Sequence, residues 1–157
     1  MIEFKSEKHN GLTMRNLVFL VYSREKFLNL FGKFYVPEEL ISVLKDDSCT
    51  FTVKNFLNAI QKQKPVGIEI DEEKIVFSGF EENKENADAL KTLACFMNKQ
   101  ALELSRILPK KVLSENEKYS TRIWLVRMGM NGEKYRQTRK ILLQKLDGNS
   151  ARKAAKK

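Results

Sequence analysis

Residues 66–77, VGIEIDEEKIVF, decide the fold. Val66, Ile68 and Ile70 alternate with small or charged residues, and Ile75 and Phe77 do so again after an acidic run, the period of two expected of strands with one wet face. Asp71, Glu72, Glu73 and Lys74 form the turn between them, so the pair reads as a β-hairpin. A lone hairpin is marginal in water and needs a further strand and a cover for its apolar face. Ile2, Phe4 and Ser6, alternating with Glu3, Lys5 and Glu7, provide the strand. Helical spacing through most of the remaining chain provides the cover. The fold class expected is therefore α+β: a small antiparallel sheet, made of the N-terminal strand plus the hairpin at about 66–78, packed against a helical bundle with a C-terminal helical hairpin.

Outward from the sheet, Thr13 is placed to cap a helix whose apolar stripe is Met14, Leu17, Val18 and Val21, with Arg15 and Asn16 facing away from it. Tyr22 and Ser23 interrupt or end that helix. Pro37 suits the first turn of a short one carrying Glu38 and Glu39 at its positive end, with Leu40, Ile41, Val43 and Leu44 as core. Thr52 caps the next, and Phe51 is spaced to staple onto Phe56. The longest helix spans about 86–108, because Ala87, Leu90, Ala94, Met97, Ala101, Leu104 and Leu108 recur at steps of three and four before Pro109. Its stripe is too broad for a coiled-coil seam alone and reads as a central packing helix.

Residues 114–148 then read as two basic helices joined by a tight turn. Ser114 and Glu117 have the spacing of a capping box. Tyr119, Ile123, Val126 and Met130 draw the inward stripe of the first helix, widened by Trp124 and Met128. Gly129 and Gly132 bracket the break, and Asn131 is placed to cap the second helix. There Tyr135, Thr138, Leu142 and Leu146 face inward, while Arg136, Arg139, Lys140 and Leu143 share another face.

A chain of 157 residues with 42% hydrophobic and 31% charged residues has the composition of one globular domain rather than of disorder. Residues 1–151 are expected to form a single α+β domain and 152–157 a basic flexible tail. No apolar run approaches the roughly 18 residues of a membrane span, and Glu3 and Lys5 follow Met1 where a signal-peptide core would stand. A cytoplasmic location without a membrane partner is expected. The net charge of +9 is unevenly placed: residues 109–157 hold 14 Lys/Arg against 4 Asp/Glu, residues 1–108 hold 15 against 16. Such asymmetry suits a polyanionic partner or an acidic protein surface, or simply a solvated basic face.

Chemistry is scarce. Cys49, Cys95 and the single histidine His9 cannot assemble a four-ligand zinc site, and both cysteines are expected to be reduced and at least partly buried. The carboxylates of Asp71, Glu72 and Glu73 sit on a hairpin tip and point apart, so a solvated turn is expected rather than a metal site. Phosphate-binding glycine loops and a nucleophile elbow are missing. No catalytic, cofactor-binding or metal residue is assigned, no cofactor is expected, and a non-enzymatic role is favoured. The candidate binding residues are Lys118, Arg122, Lys134, Arg136, Arg139, Lys140 and Lys145, for nucleic acid or an acidic partner.

Two motifs carry a resemblance. Thr13-x-Arg15-Asn16-Leu17 with Tyr22-Ser23, and Trp124-Leu125-x-Arg127-x-Gly129-x-x-Gly132-x-x-Tyr135-x-x-x-Arg139-x-x-Leu142-Leu143-x-x-Leu146-Asp147-Gly148-Asn149-Ser150-Ala151, resemble the small "virulence-related" proteins of phages, plasmids and integrative elements in Firmicutes. Beyond Ala151 the likeness stops, with Arg152 where an aromatic residue would be expected. The resemblance implies a mobile-element setting, where proteins of similar size include inhibitors of Cas9-type defence. It thus implies an anti-CRISPR that binds a Cas9-type effector or its guide RNA without catalysis. Two other roles stay open from the residues: a DNA- or RNA-binding protein that uses the second basic helix in a groove, and a docking module in which Arg122, Arg127 and Arg139 form internal salt bridges. Oligomeric state is not legible.

Overall fold

The computed structural model describes residues 1–148, and the tail expected at 152–157 lies outside the described residues. The chain forms two compact units, Met1–Glu81 with Met97–Lys111, and Glu82–Phe96 with the chain from Val112 onward.

The first unit holds the sheet. Strands β1 (Ile2–Lys5), β2 (Ile68–Ile70) and β3 (Lys74–Phe77) lie in the order β1-β3-β2, both pairings antiparallel. Ile75 sits opposite Phe4 on one side and Ile70 on the other, so the expected hairpin with the N-terminal strand as third member is present. The acidic run stabilises its own turn. Asp71 Oδ1 accepts the N–H groups of Glu73 and Lys74, each at 2.8 Å. Those backbone donors, Lys74's first and Glu73's next, hold the Asp71 carboxyl below the usual carboxylate range.

Helix α1 (Gly11–Ser23) is followed by the short α2 (Glu25–Leu28), α3 (Glu38–Leu44) and α4 (Val53–Lys62), with α1 and α3 both packed on α4. The cap of α1 is Asn10, whose side chain accepts from Thr13 N–H while Thr13 Oγ1 accepts from Asn10 N–H, so the box lies three residues before the expected cap at Thr13. Every residue of α1 from Met14 to Ser23 is buried, which overturns the outward placement of Arg15 and Asn16. A helix wrapped on all sides must satisfy its polar groups internally. Arg15 Nη1 donates to Leu44 O at 3.1 Å and Asp47 Oδ1 at 2.9 Å. Thr52 Oγ1 caps α4 as expected, accepting from Asn55 N–H at 3.0 Å. The staple does not form: Phe51 is 76% exposed while Phe56 is fully buried, and Val43 is 46% exposed rather than core.

Helix α5 (Ala87–Glu103) stops short of the expected end near Leu108. Asn16 is the reason. Wholly buried, it donates Nδ2 to Ala101 O at 3.2 Å and Leu104 O at 2.9 Å, and accepts Ile107 N–H on Oδ1 at 3.1 Å. One amide thus satisfies two orphan carbonyls of the last turn and holds the chain that leaves it. Ser23 Oγ donates to Leu108 O at 3.2 Å, and Lys111 Nζ pairs with the buried Glu25 carboxylate. Residues 104–111 are therefore a strap fastened along α1 and α2, and Leu104 and Leu108 stand exposed instead of continuing the stripe.

The second unit contains the N-terminal part of α5, then α6 (Glu117–Met128), a single 3₁₀ turn at Glu133–Tyr135 and α7 (Arg136–Leu143). The sheet packed against helices and the C-terminal helical hairpin together make the α+β class read from the sequence.

Candidate nucleic-acid interface

The helical hairpin is built by local signals, some different from those expected. Asn116, not Ser114, caps α6, its Oδ1 accepting Tyr119 N–H at 3.0 Å; Ser114 Oγ instead bonds the backbone of Asn116. The helix ends in a Schellman motif: Met130 N–H reaches Leu125 O at 3.0 Å and Gly129 N–H reaches Val126 O at 3.1 Å. Gly129 has φ of 123°, and a Cβ there would stand 2.8 Å from Phe96 Cε1, so only glycine suits the position. Gly132 repeats the left-handed requirement at φ 77°. Asn131 does not cap α7, which begins after the 3₁₀ turn without a side-chain cap.

The inward face of α6 is Thr121, Trp124, Leu125 and Met128, a stripe rotated from the expected one, with Tyr119, Ile123 and Val126 half-buried. Trp124 is core at 6% exposure. On α7 Leu142 and Leu143 are buried, so Leu143 leaves the outer face to which the sequence assigned it. Tyr135 lies edge-on to Phe96 with ring centroids 5.3 Å apart and is half-buried.

These contacts sort the candidate basic residues. Arg139 is half-buried, and its Nη1 donates to Met130 O at 2.8 Å and Gly132 O at 3.1 Å, clamping the inter-helix turn. Lys134, Arg136, Lys140 and Lys145 are exposed, whereas Lys118 and Arg122 are half-buried on α6. Lys134 Nζ lies 5.4 Å from the Tyr135 ring centroid, and Arg136 Nη1 lies 3.6 Å from Glu133 Oε1 in a solvent-exposed pair. An ion pair of that kind is worth little and does not keep Arg136 from another anion. Lys118 N–H donates to Asp147 O at 3.1 Å, so the start of α6 meets the end of α7, where Lys145 also lies. Lys134 and Arg136 occupy the opposite, turn end, and Lys140 lies between on the outer side of α7.

Two polar residues escape the sequence reading. Gln137 and Gln144 are exposed and share the outer side of α7 with Arg136 and Lys140. Their spacing from Lys140, three positions for Gln137 and four for Gln144, is the available signal. Arg127 is exposed at the end of α6. Among the described residues no group of three or more His, Cys, Asp and Glu comes together to hold a metal ion, and no helix is long and apolar enough to cross a membrane. Cys95 is exposed and Cys49 half-buried, so the expectation that both are shielded fails for Cys95. His9 is buried, with Nε2 at 2.7 Å from Asn98 Oδ1 and Nδ1 at 3.0 Å from Thr13 Oγ1, a packed polar bridge between two helices of the first unit. Set against family models, curated proteins and solved structures, the chain finds no match.

Proposed function

We propose that the chain is a non-catalytic binding protein that lays the outer face of its C-terminal hairpin on nucleic-acid phosphates. The target we assign is a host defence nucleoprotein, a Cas9-type effector with its guide RNA, which it inhibits by occupancy in the cytoplasm. The observation that carries the contact is the exposed row on and beside α7, with Lys134 and Arg136 at one end, Lys140 in the middle and Lys145 at the other. Exposed cations on a packed helical hairpin reach phosphates with little reordering, and counterion release supplies affinity without catalytic groups. The mobile-element setting and the Cas9-type target rest on the likeness of the two sequence motifs. Added to a guide-RNA-loaded Cas9-type effector, the purified chain is expected to slow target cleavage or shift the complex at about micromolar concentration or below. Unchanged cleavage across several orthologues contradicts that target.

A second role is favoured by one observation. Gln137 and Gln144 beside Arg136 and Lys140 are residue types that bond base edges as well as phosphates, as a helix placed in a duplex groove requires. Binding to duplex DNA with a sequence preference that Gln137→Ala abolishes would select this role over the first.

A further inference from the structure

We propose that β1 is an interface for a second copy of this chain, pairing antiparallel with its own counterpart about Phe4 so that two three-stranded sheets become one of six strands. The backbone supplies the first reason. Ser6 N–H donates to Glu73 O at 3.0 Å, and residues of an antiparallel ladder bond to the neighbouring strand alternately. In the observed register Ile2 and Phe4 therefore exchange bonds with Phe77 and Ile75, while Glu3 and Lys5 turn their N–H and C=O groups to the open side. As β1 ends the order β1-β3-β2, no strand among the described residues takes those groups. Two copies centred on Phe4 set Glu3 opposite Lys5 of the second copy, and both are residues whose bonds point outward, so the phase of the new ladder is correct.

Charge gives the second reason. Lys5 stands opposite Lys74 within the chain, and Lys74 Nζ is drawn to Glu3 Oε1 at 3.7 Å, so Lys5 faces a like charge across its strand pairing with β3. In the paired copies each Lys5 meets a Glu3, and each Glu3 a Lys5, an arrangement that favours cross-strand association. Edge charges commonly keep foreign strands away. Here two opposite charges two residues apart reject most registers and match the inverted copy of themselves. The third reason is apolar. Ile2 and Phe4 lie on the face of Ile75 and Phe77 but are only half-buried at the rim, and Phe4 meets Phe77 edge-on at 5.9 Å. A Phe4 from the second copy covers the remainder. Four-residue strands bury little area, so the association is weak and isologous, with a dissociation constant on the order of 100 µM.

Sedimentation equilibrium of the full chain from about 10 µM to about 1 mM tests it. The wild type is expected to rise toward the dimer mass over that range. Glu3→Lys and Lys5→Glu, each checked for an intact thermal transition, are expected to stay monomeric alone and to form a one-to-one heterodimer when mixed, since a strand with two lysines then faces one with two glutamates. Should either variant fail to fold, amide exchange of the wild type decides: protection at Glu3 and Lys5 N–H must increase with concentration. A monomer throughout the range, variants that dimerise like the wild type, a mixture that stays monomeric, or concentration-independent exchange at those amides each overturns the proposal.

Discussion

Arg139 commits its guanidinium to the carbonyl oxygens of Met130 and Gly132, whereas Lys140, the next residue along, reaches solvent. Truncating the two therefore has opposite consequences. Arg139→Ala removes charge-assisted bonds from a partly buried turn and is expected to lower unfolding stability by about 1–2 kcal/mol in urea titration. Lys140→Ala changes an exposed side chain and is expected to stay within about 0.5 kcal/mol of the wild type while weakening nucleic-acid binding. His9 gives a pH dependence of stability. Burial dominates its environment, with the Asn98 bond opposing, and its pKa falls below the ordinary histidine value. A folded pKa below the unfolded one means that the unfolded chain takes up the proton first. The stabilisation of neutral His9 is thus complete above about pH 6.5 and is lost as pH falls through the lower folded value. His9 is the only histidine of the chain, so His9→Gln is expected to flatten the decline in urea midpoint between about pH 7.5 and about pH 5.5; an unchanged slope in that variant contradicts this assignment.

At the scale of elements, Asn16 ends α5 and fastens the strap that follows it. Asn16→Leu leaves Ala101 O, Leu104 O and Ile107 N–H without these partners and is expected to cost about 3 kcal/mol, with the Ile107 amide of the strap exchanging faster than in the wild type. The expected end near Leu108 is wrong for this reason, because a partner 85 or more positions away in sequence terminates the helix. The β-hairpin, by contrast, is readable in its pairing, since its strands and turn are specified by neighbours within a dozen positions, although Val66 falls outside β2 at 51% exposure, Lys74 belongs to β3 rather than the turn, and Val76 is buried on the face expected to be wet. Caps fall between these cases. Thr52 is legible, but at α1 and α6 two polar residues compete within a few positions, and the backbone selects Asn10 over Thr13 and Asn116 over Ser114. Burial is harder still. Period alone assigns α1 one apolar face, although its arginine and asparagine are enclosed by carbonyl and carboxylate partners from distant segments. The exposure of Phe51 likewise depends on the packing around it, which no local spacing encodes.

Taken whole, the chain carries its positive excess toward its C-terminal part, four of those charges falling at Arg152, Lys153, Lys156 and Lys157. The excess of positive charge lies beyond residue 108, and within the described residues the exposed part of the candidate site belongs to the second unit. Type and helical phase point to all seven candidate cations alike; for Arg139 the sequence suggests an internal role only through salt bridges, whereas its acceptors are backbone atoms that a sequence does not display. Gln137 and Gln144 are passed over because neutral side chains leave no trace in a charge count. The most direct test is fluorescence anisotropy of a structured guide RNA titrated with the full chain and with a chain ending at Ala151, from about 50 mM to about 200 mM salt. Affinity is expected to fall steeply with salt in both chains, and to be lost without unfolding when Lys134, Arg136 and Lys140 are all changed to alanine. Binding that ignores salt, survives the triple substitution, or vanishes with residues 152–157 alone contradicts the assignment of the hairpin as the nucleic-acid face.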